Sequence, residues 1–284
     1  MRSRRNLKIG PQCTVVPFLK WAGGKRWLTA QYSHLFPTTF DRYIEPFLGS
    51  GAVFFYLQPR TAVLSDNNAE LINTYLQIRS NWQKVQRSLR RHQANHGAKY
   101  YYDERARKHQ VLHEKAAQFI YLNRTCWNGL YRVNLNGEFN VPKGTKSTVL
   151  LSSDDFETVS YLLKSVRLLT ADFETSIARA HAGDFVFVDP PYVTRHNFNG
   201  FLRYNDKIFS WDDQVRLHSA VAAAARRGVM LLVTNAANRS VLRLYRGIGK
   251  SVTLRRNSVL AADSNDRGAV NEVAFMINYT AKLN

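Results

Sequence analysis

Short apolar runs alternate with amphipathic stretches along the chain, and this pattern predicts a succession of strands and helices. An apolar run at residues 42–45 leads into a segment with two glycines, after which residues 52–57 predict a helix. Residues 61–65 predict a second strand that ends at Asp66, and residues 70–78 predict another helix. This order of strand, glycine turn, helix and acid-ended strand is typical of the start of a parallel α/β sheet.

Residues 81–164 differ in character, because they are polar and contain twice as many basic as acidic residues. Their amphipathic pattern predicts helices at 82–92, 101–110 and 111–122. The Asn- and Gly-rich stretch 128–142 predicts a β-hairpin or a loop. We interpret the whole segment as an insertion between two strands of the sheet.

The α/β pattern resumes after this insertion. Strands are predicted at residues 166–170, 185–188, 229–233, 251–259 and 271–279, with an amphipathic helix at 212–225. We therefore predict an α/β fold. Its parts are a basic N-terminal arm at 1–13, a domain that carries the sheet at 14–80 and 165–284, and an inserted, mainly helical domain with a β-hairpin at 81–164.

The charge balance narrows the choice of partner. The 284 residues include 40 Lys+Arg and 21 Asp+Glu, for a net charge of +19. Such an excess favours nucleic acid or an anionic membrane surface over a merely solubilising role. Because no apolar run approaches the roughly 20 residues that cross a bilayer, nucleic acid is the better inference and no membrane partner is expected.

Cysteine and histidine usage favours neither a disulfide scaffold nor a metal site. Cys13 and Cys126 lie outside CxxC motifs, which disfavours a disulfide scaffold and fits a reducing cytoplasm. Two histidine pairs have the i,i+4 spacing of zinc ligands, but no third ligand is obvious. We interpret these pairs as solvated helix faces and expect no metal; they are His92/His96 and His109/His113.

The first candidate site is the turn after the first strand, residues 45–51. Its glycines, Gly49 and Gly51, allow a tight turn and close approach of a ligand. Glu45 just before them disfavours a phosphate and favours a cationic ligand such as S-adenosylmethionine. Asp66 ends the second strand, where a carboxylate can accept hydrogen bonds from ribose hydroxyls.

The second candidate site is Asp189-Pro190-Pro191-Tyr192, which follows the apolar strand at 185–188. The two prolines fix the backbone and remove two N–H donors. Asp189 and the Pro190 carbonyl can each accept an N–H of an adenine amine, which turns the nitrogen lone pair toward the methyl group, and Tyr192 can stack on the base. This mechanism relies on positioning and electrostatics without a covalent intermediate.

The chain resembles the Dam-like family of DNA adenine-N6 methyltransferases across residues 18–279, with the cofactor, recognition and catalytic motifs in the family's order. The resemblance implies a Rossmann-like S-adenosylmethionine-dependent methyltransferase sheet. The signature at residues 18–25 and Asp172-Phe173 match family cofactor motifs. The cofactor-binding residues so expected are Trp21, Ala22, Gly23, Lys25, Glu45, Pro46, Phe47, Gly49, Gly51, Asp66, Asp172 and Phe173.

The recognition region also resembles the family. By that resemblance, Arg132 reads a guanine edge, Leu130 and Pro142 contact a thymine methyl, Trp127 wedges into the duplex, and Asn128 holds the orphaned partner base. A core aromatic is the alternative for Trp127. The remaining expected DNA contacts are Lys20, Arg124, Asn134, Asn140, Arg195 and Asn197.

Two loops complete the prediction. After Pro142 the family continues with Gly-Arg-Tyr, whereas this chain has Lys143-Gly144-Thr145-Lys146-Ser147. The resemblance therefore does not determine which outer base pairs the target has. We expect the loop at 193–210 to close over a flipped adenine, an ordinary surface loop being the alternative.

The resemblance implies a cytoplasmic enzyme that methylates N6 of a flipped-out adenine in double-stranded DNA, within GATC or a related short palindrome. We expect a monomer with S-adenosylmethionine as the methyl donor. Two alternatives remain open at this point. The chain could methylate amines or amides of RNA or of protein glutamine, because the same catalytic motif serves any planar amine, or it could be a catalytically silent DNA-binding module.

Overall fold

The computed structural model describes residues 15–134, 137–192, 209–257 and 269–281. The strands are β1 (Tyr43–Glu45), β2 (Ala62–Asp66), β3 (Val166–Thr170), β4 (Phe185–Val188), β5 (Met230–Ala236), β6 (Lys250–Asn257) and β7 (Ala269–Ile277). They form one sheet in the order β3-β2-β1-β4-β5-β7-β6. Neighbours are parallel except where β7 pairs with β5 and β6. The predicted α/β sheet is confirmed.

The helices flank this sheet and fill the segment between β2 and β3. They are α1 (Arg26–Gln31), α2 (Ala52–Leu57), α3 (Ala69–Asn95), α4 (Ala98–Ala106), α5 (Leu112–Thr125), α6 (Phe156–Leu163), α7 (Phe173–Ala178), α8 (Trp211–Arg226) and α9 (Arg239–Leu244). Short 3-10 turns lie at Ser33–Leu35 and Trp127–Gly129. Within the described ranges, no helix has both the length and the apolar character needed to cross a membrane.

The central strands are buried on both faces. In β4, Phe185 and Phe187 belong to one apolar cluster, whereas Val186 and Val188 belong to the other. Successive side chains of a strand point to opposite faces, so an unbroken apolar run is what a strand covered on both sides requires. This is why the apolar runs identified the strands of the parallel region closely.

Helix α3 is longer than predicted and joins the two predicted helices at 70–78 and 82–92. Asn68 caps its start by accepting a hydrogen bond from the backbone N–H of Leu71. Asn81 interrupts it with a non-helical backbone (φ −142°, ψ 29°), so the helix bends at that point and continues. The helix thus passes through residue 80, where the sequence predicts a domain boundary.

The stretch predicted as a β-hairpin or a loop folds back on itself. Isolated bridges join Val133 to Phe139 and Cys126 to Lys143. The backbone N–H of Asn134 donates to the carbonyl of Glu138 at 2.8 Å. Residues 128–134 and 137–142, called the recognition hairpin below, are therefore an irregular hairpin on the C-terminal end of α5.

The interpretation of the histidine pairs as solvated helix faces was wrong for His109 and for His92. The His109 side chain is mostly buried between α4 and α5, against Glu104 and Glu114. The His92 side chain is buried, its Nδ1 lies 2.8 Å from the Tyr100 hydroxyl, and its ring stacks on Tyr121. Burial lowers the pKa of His92 to about 4, so it is neutral near pH 7. Among the residues described, no group of three or more potential ligands is arranged for a metal.

The expectation that Arg124 contacts DNA is also contradicted. The guanidinium is buried and forms two 2.6 Å hydrogen bonds to the carboxylate of Asp154. It also donates to the carbonyls of Phe18 and Val149, at 2.8 and 2.6 Å. These contacts tie α5 to the segment that enters the cofactor motif, so Arg124 has a structural role.

Replacing Arg124 with methionine should lower the free energy of unfolding by about 3–5 kcal/mol, because it leaves a buried carboxylate without its partner. Denaturant unfolding measures this loss. Arg90 is exposed on α3, and Arg90→Met is the matched control with an expected change within about 0.5 kcal/mol. Equal stability of the two variants would contradict the structural role.

Candidate active site

A cleft of about 990 Å³ opens at the carboxyl ends of the parallel strands. In open α/β sheets this edge is the usual place for a ligand. The last residues of β1 and β2, Glu45 and Asp66, line the cleft, and so does Asp189, which directly follows β4. The structure therefore brings the two candidate sites of the sequence into one cavity.

Glu45 is a buried carboxylate at the base of this cleft. It accepts a hydrogen bond from the Tyr43 hydroxyl at 2.9 Å and one from the backbone N–H of Phe54 in the first turn of α2. Burial raises the pKa of Glu45 well above its usual range, because the charged form is poorly solvated. A carboxylate thus occupies the helix end where a phosphate would otherwise bind, and a cationic ligand would stabilise its charge.

Asp66 closes the turn from the other side. Its two carboxylate oxygens accept hydrogen bonds from the backbone N–H groups of Gly49 and Asn68, at 3.1 and 3.0 Å. Gly49 has a positive φ of 48°, and a side chain there would collide with Trp21. The glycine is therefore required by the close approach of the indole ring.

The far end of the cleft is aromatic. Phe47 stacks on Phe173 with ring centroids 5.5 Å apart, and Phe209 packs against both rings. Asp172 caps α7 by accepting from the N–H of Glu174, and it also pairs with Arg216 at 3.2 Å. These rings and the capping carboxylate offer apolar faces with a polar edge, which suits a planar heterocycle.

The recognition hairpin forms one wall of the same cleft. Tyr131 stacks on Trp21 with centroids 5.7 Å apart and packs on Phe119 at 4.9 Å. Leu130 and Val133 also line the cavity. The predicted DNA-reading element and the predicted cofactor residues therefore share a surface.

Asp189 is held by donors that all act on one of its oxygens. Oδ1 lies 2.8 Å from the Lys25 ammonium and 2.7 Å from the Thr234 hydroxyl, with the Tyr192 hydroxyl 3.4 Å away. The side chain remains 16% exposed. Burial raises the pKa of Asp189, and the charge of Lys25 opposes this rise. Oδ2 is consequently the oxygen available to an incoming N–H donor.

Two residues of this cluster were missed by the sequence reasoning. Thr234 lies in β5 beside Asp189, and Glu272 lies in β7, where its Oε2 accepts from the Tyr192 hydroxyl and lies 3.6 Å from the Lys25 ammonium. Glu272 interrupts an apolar strand, and a charge at a core position was the signal that could have identified it. Thr234 carries no such signal, because threonine is ordinary in strands.

The comparisons with known proteins decide the family. The model of the family described as D12 class N6 adenine-specific DNA methyltransferase matches residues 21–257. The chain belongs to this family. It is a DNA adenine methyltransferase, as the sequence predicted.

Curated relatives agree over nearly the full length. The Type II methyltransferase M1.LlaDCHI of Lactococcus lactis subsp. cremoris is 36% identical over 276 residues, covering 93% of this chain and 95% of that protein. The Type II methyltransferase M.MjaIII of Methanocaldococcus jannaschii is 32% identical, covering 93% and 99%. A DNA adenine methylase of Vibrio cholerae is 30% identical, covering 90% and 94%.

In this methyltransferase, most of the expected cofactor residues lie together. The lining of the cleft includes Trp21, Ala22, Gly23, Lys25, Glu45, Pro46, Phe47, Gly49, Asp66, Asp172 and Phe173, together with Asp189, Pro190, Pro191 and Tyr192. Gly51 does not line the cleft. It precedes α2 with a φ of 64°, and a side chain there would approach Tyr75 and Phe55.

Some of the expected DNA contacts are exposed, and others are hydrogen-bonded within the protein. Trp127 is 53% exposed, which excludes the core alternative, and Asn128, Pro142 and Lys20 are exposed as well. Within the recognition hairpin, the Arg132 Nε donates to the Asn140 amide oxygen at 2.9 Å, and Asn134 bonds Glu138. Four predicted features lie outside the described residues: Arg195, Asn197, the basic arm at 1–13, and residues 193–208 of the loop predicted at 193–210.

Replacing Glu45 with glutamine should weaken binding of S-adenosylhomocysteine about tenfold or more, because it removes the charge that the ammonium group of this ligand would pair with. Titration calorimetry measures the affinity without turnover. Glu157→Gln, at an exposed position on α6, is the matched control and should bind as the wild type does. Undiminished affinity of Glu45→Gln would contradict this role for the carboxylate.

Proposed function

We propose that this methyltransferase uses S-adenosylmethionine to methylate N6 of an adenine that is flipped out of duplex DNA into the cleft. The observation that carries the proposal is the arrangement of Asp189. One carboxylate oxygen is held by Lys25 and Thr234, whereas the other is left for a donor from the cleft. An exocyclic amine is such a donor.

The donor set of the cleft fits S-adenosylmethionine. Buried Glu45 suits its cationic part, Asp66 at the end of β2 suits ribose hydroxyls, and the Phe47 and Phe173 rings suit its adenine. When bound, S-adenosylmethionine supplies a methyl group on a positively charged sulfur. The cleft volume is within the range of small-molecule sites in proteins.

The chain's own residues would prepare the amine for transfer. Asp189 Oδ2 and the Pro190 carbonyl accept its two N–H groups, and this draws the nitrogen lone pair out of conjugation with the ring. Tyr192 packs on the base face. Asp189, whose pKa burial raises, is placed to receive the proton that N6 loses on methylation. Preorganised acceptors of this kind lower the barrier without covalent catalysis.

Target recognition would fall to the recognition hairpin and its surroundings. Arg132 is steadied by Asn140 and can donate two hydrogen bonds to a guanine edge, while exposed Trp127 can enter the stack that the adenine leaves. We propose GATC or a related short palindrome as the target. Because residues 143–147 differ from the family pattern, the outer base pairs are the part of the DNA target that we expect to differ from GATC.

Nonspecific DNA affinity would come from the basic surface. The Lys20 ammonium lies beside Lys146, and burial together with this neighbour lowers the pKa of Lys20 to about 8. Two adjacent ammonium groups favour an anionic partner such as a phosphate. We propose residues 81–164 as the target recognition domain of a cytoplasmic enzyme that acts as a monomer.

Replacing Asp189 with alanine should abolish methyl transfer to duplex DNA and leave S-adenosylhomocysteine binding intact, because Asp189 acts on the amine. Transfer of labelled methyl groups and titration calorimetry measure the two properties on the same preparation. RNA and protein acceptors, assayed in parallel with the wild type, test the alternative substrates. Robust transfer by the Asp189→Ala variant would contradict the mechanism.

A further inference from the structure

Glu272 is a fully buried carboxylate in the middle of β7. Its neighbours in that strand, Val273 and Phe275, belong to the apolar core. A buried charge costs several kcal/mol unless it is paired and hydrogen-bonded, so a carboxylate at this position requires specific partners. The contacts of its Oε2 identify them.

Two of those partners also contact Asp189. The Tyr192 hydroxyl donates to Glu272 Oε2, and the Lys25 ammonium lies 3.6 Å from the same atom. Lys25 also lies 2.8 Å from Asp189 Oδ1 and 5.0 Å from the centre of the Tyr192 ring. The ammonium is therefore shared between two carboxylates, and the tyrosine ring is anchored by its hydroxyl.

Glu272 does not reach the cleft. It is absent from the residues that line the cavity, and its side chain is fully buried. An effect of Glu272 on an adenine would therefore be indirect, and Lys25, Tyr192 and Asp189 connect it to the cleft. Glu272 belongs to none of the sequence motifs described above, and it follows Tyr192 by 80 residues.

We propose that Glu272 is a positioning residue for methyl transfer, which shares the Lys25 charge with Asp189 and fixes the plane of the Tyr192 ring. Because Glu272 also attracts the ammonium, Lys25 compensates only part of the negative charge of Asp189. Oδ2 therefore remains a strong acceptor for the amine. The anchored hydroxyl holds the ring where the base would pack. This inference rests on the proposed function of the cleft.

The charges around Asp189 predict a change in its pKa that distinguishes a positioning role of Glu272 from a merely structural one. Asp189 is faced by Lys25 from the segment before α1, Thr234 from β5, Tyr192 from its own motif and Glu272 from β7. The buried Glu45 carboxylate from β1 also acts on it through space. Of the two nearest charges, Lys25 lowers the pKa of Asp189, whereas Glu272 raises it. Neutralising Glu272 should therefore lower the pKa of Asp189.

The test compares Glu272→Gln with Glu272→Asp in the full-length chain. Glutamine preserves the size but removes the charge. We expect kcat of Glu272→Gln to fall about tenfold and KM for DNA and for S-adenosylmethionine to change less than about twofold. The acidic limb of kcat should move to lower pH. Aspartate keeps the charge but is shorter, so kcat should fall while the limb stays near its wild-type pH.

Controls separate this role from a general loss of structure. Glu157→Gln should match the wild type in kcat and pH profile, and thermal unfolding reports whether each variant is folded. Tyr192→Phe keeps the ring and removes the hydroxyl that Glu272 anchors, so its kcat should fall without movement of the acidic limb to lower pH.

A folded Glu272→Gln variant with wild-type kcat and an unmoved acidic limb would overturn the inference. If that variant does not fold, a wild-type kcat in either Glu272→Asp or Tyr192→Phe would overturn it instead. Failure of the wild-type enzyme itself to methylate duplex DNA would count against the proposed function of the cleft, and the two failures are therefore distinguishable.

Discussion

The ion pair between the Lys25 ammonium and Asp189 is the interaction on which the active site depends. Burial alone would favour the protonated form of a carboxylate in this position. The ammonium lies 2.8 Å from Asp189 Oδ1 and 3.6 Å from Glu272, so one positive charge compensates two buried negative charges. The lysine acts on Oδ1, so the proposed role of Asp189 as an acceptor for the amine falls to its other oxygen.

The fold places this lysine through contacts that are distant from the catalytic motif. The segment before Lys25 is clamped to α5, where the Asn123 side chain exchanges two hydrogen bonds with the backbone of Lys20. Arg124, the next residue of α5, binds the carbonyl of Phe18. The same helix leads directly into the recognition hairpin. The elements expected to bind cofactor and DNA are therefore supported by a common buried anchor, which includes the Arg124–Asp154 ion pair.

The strand ends were predictable from the sequence, whereas the long-range pairs were not. Unbroken apolar runs fix strands that are covered on both faces, and this is why Glu45, Asp66 and Asp189 were correctly expected at the ends of strands. Arg124 was expected to contact DNA by resemblance to the family. The sequence does not reveal its buried partner, Asp154, which lies 30 residues later. Glu272 was missed because its contacts, Lys25 and Tyr192, are also far from it in the sequence.

The most direct test of the account is methylation-aware sequencing of DNA from a host that lacks its own adenine methylation and expresses this chain. We expect N6-methyladenine at one short palindromic motif, GATC or a relative of it that differs in the outer base pairs. Absence of N6-methyladenine despite folded, expressed protein, or methylation of cytosine instead, would contradict it.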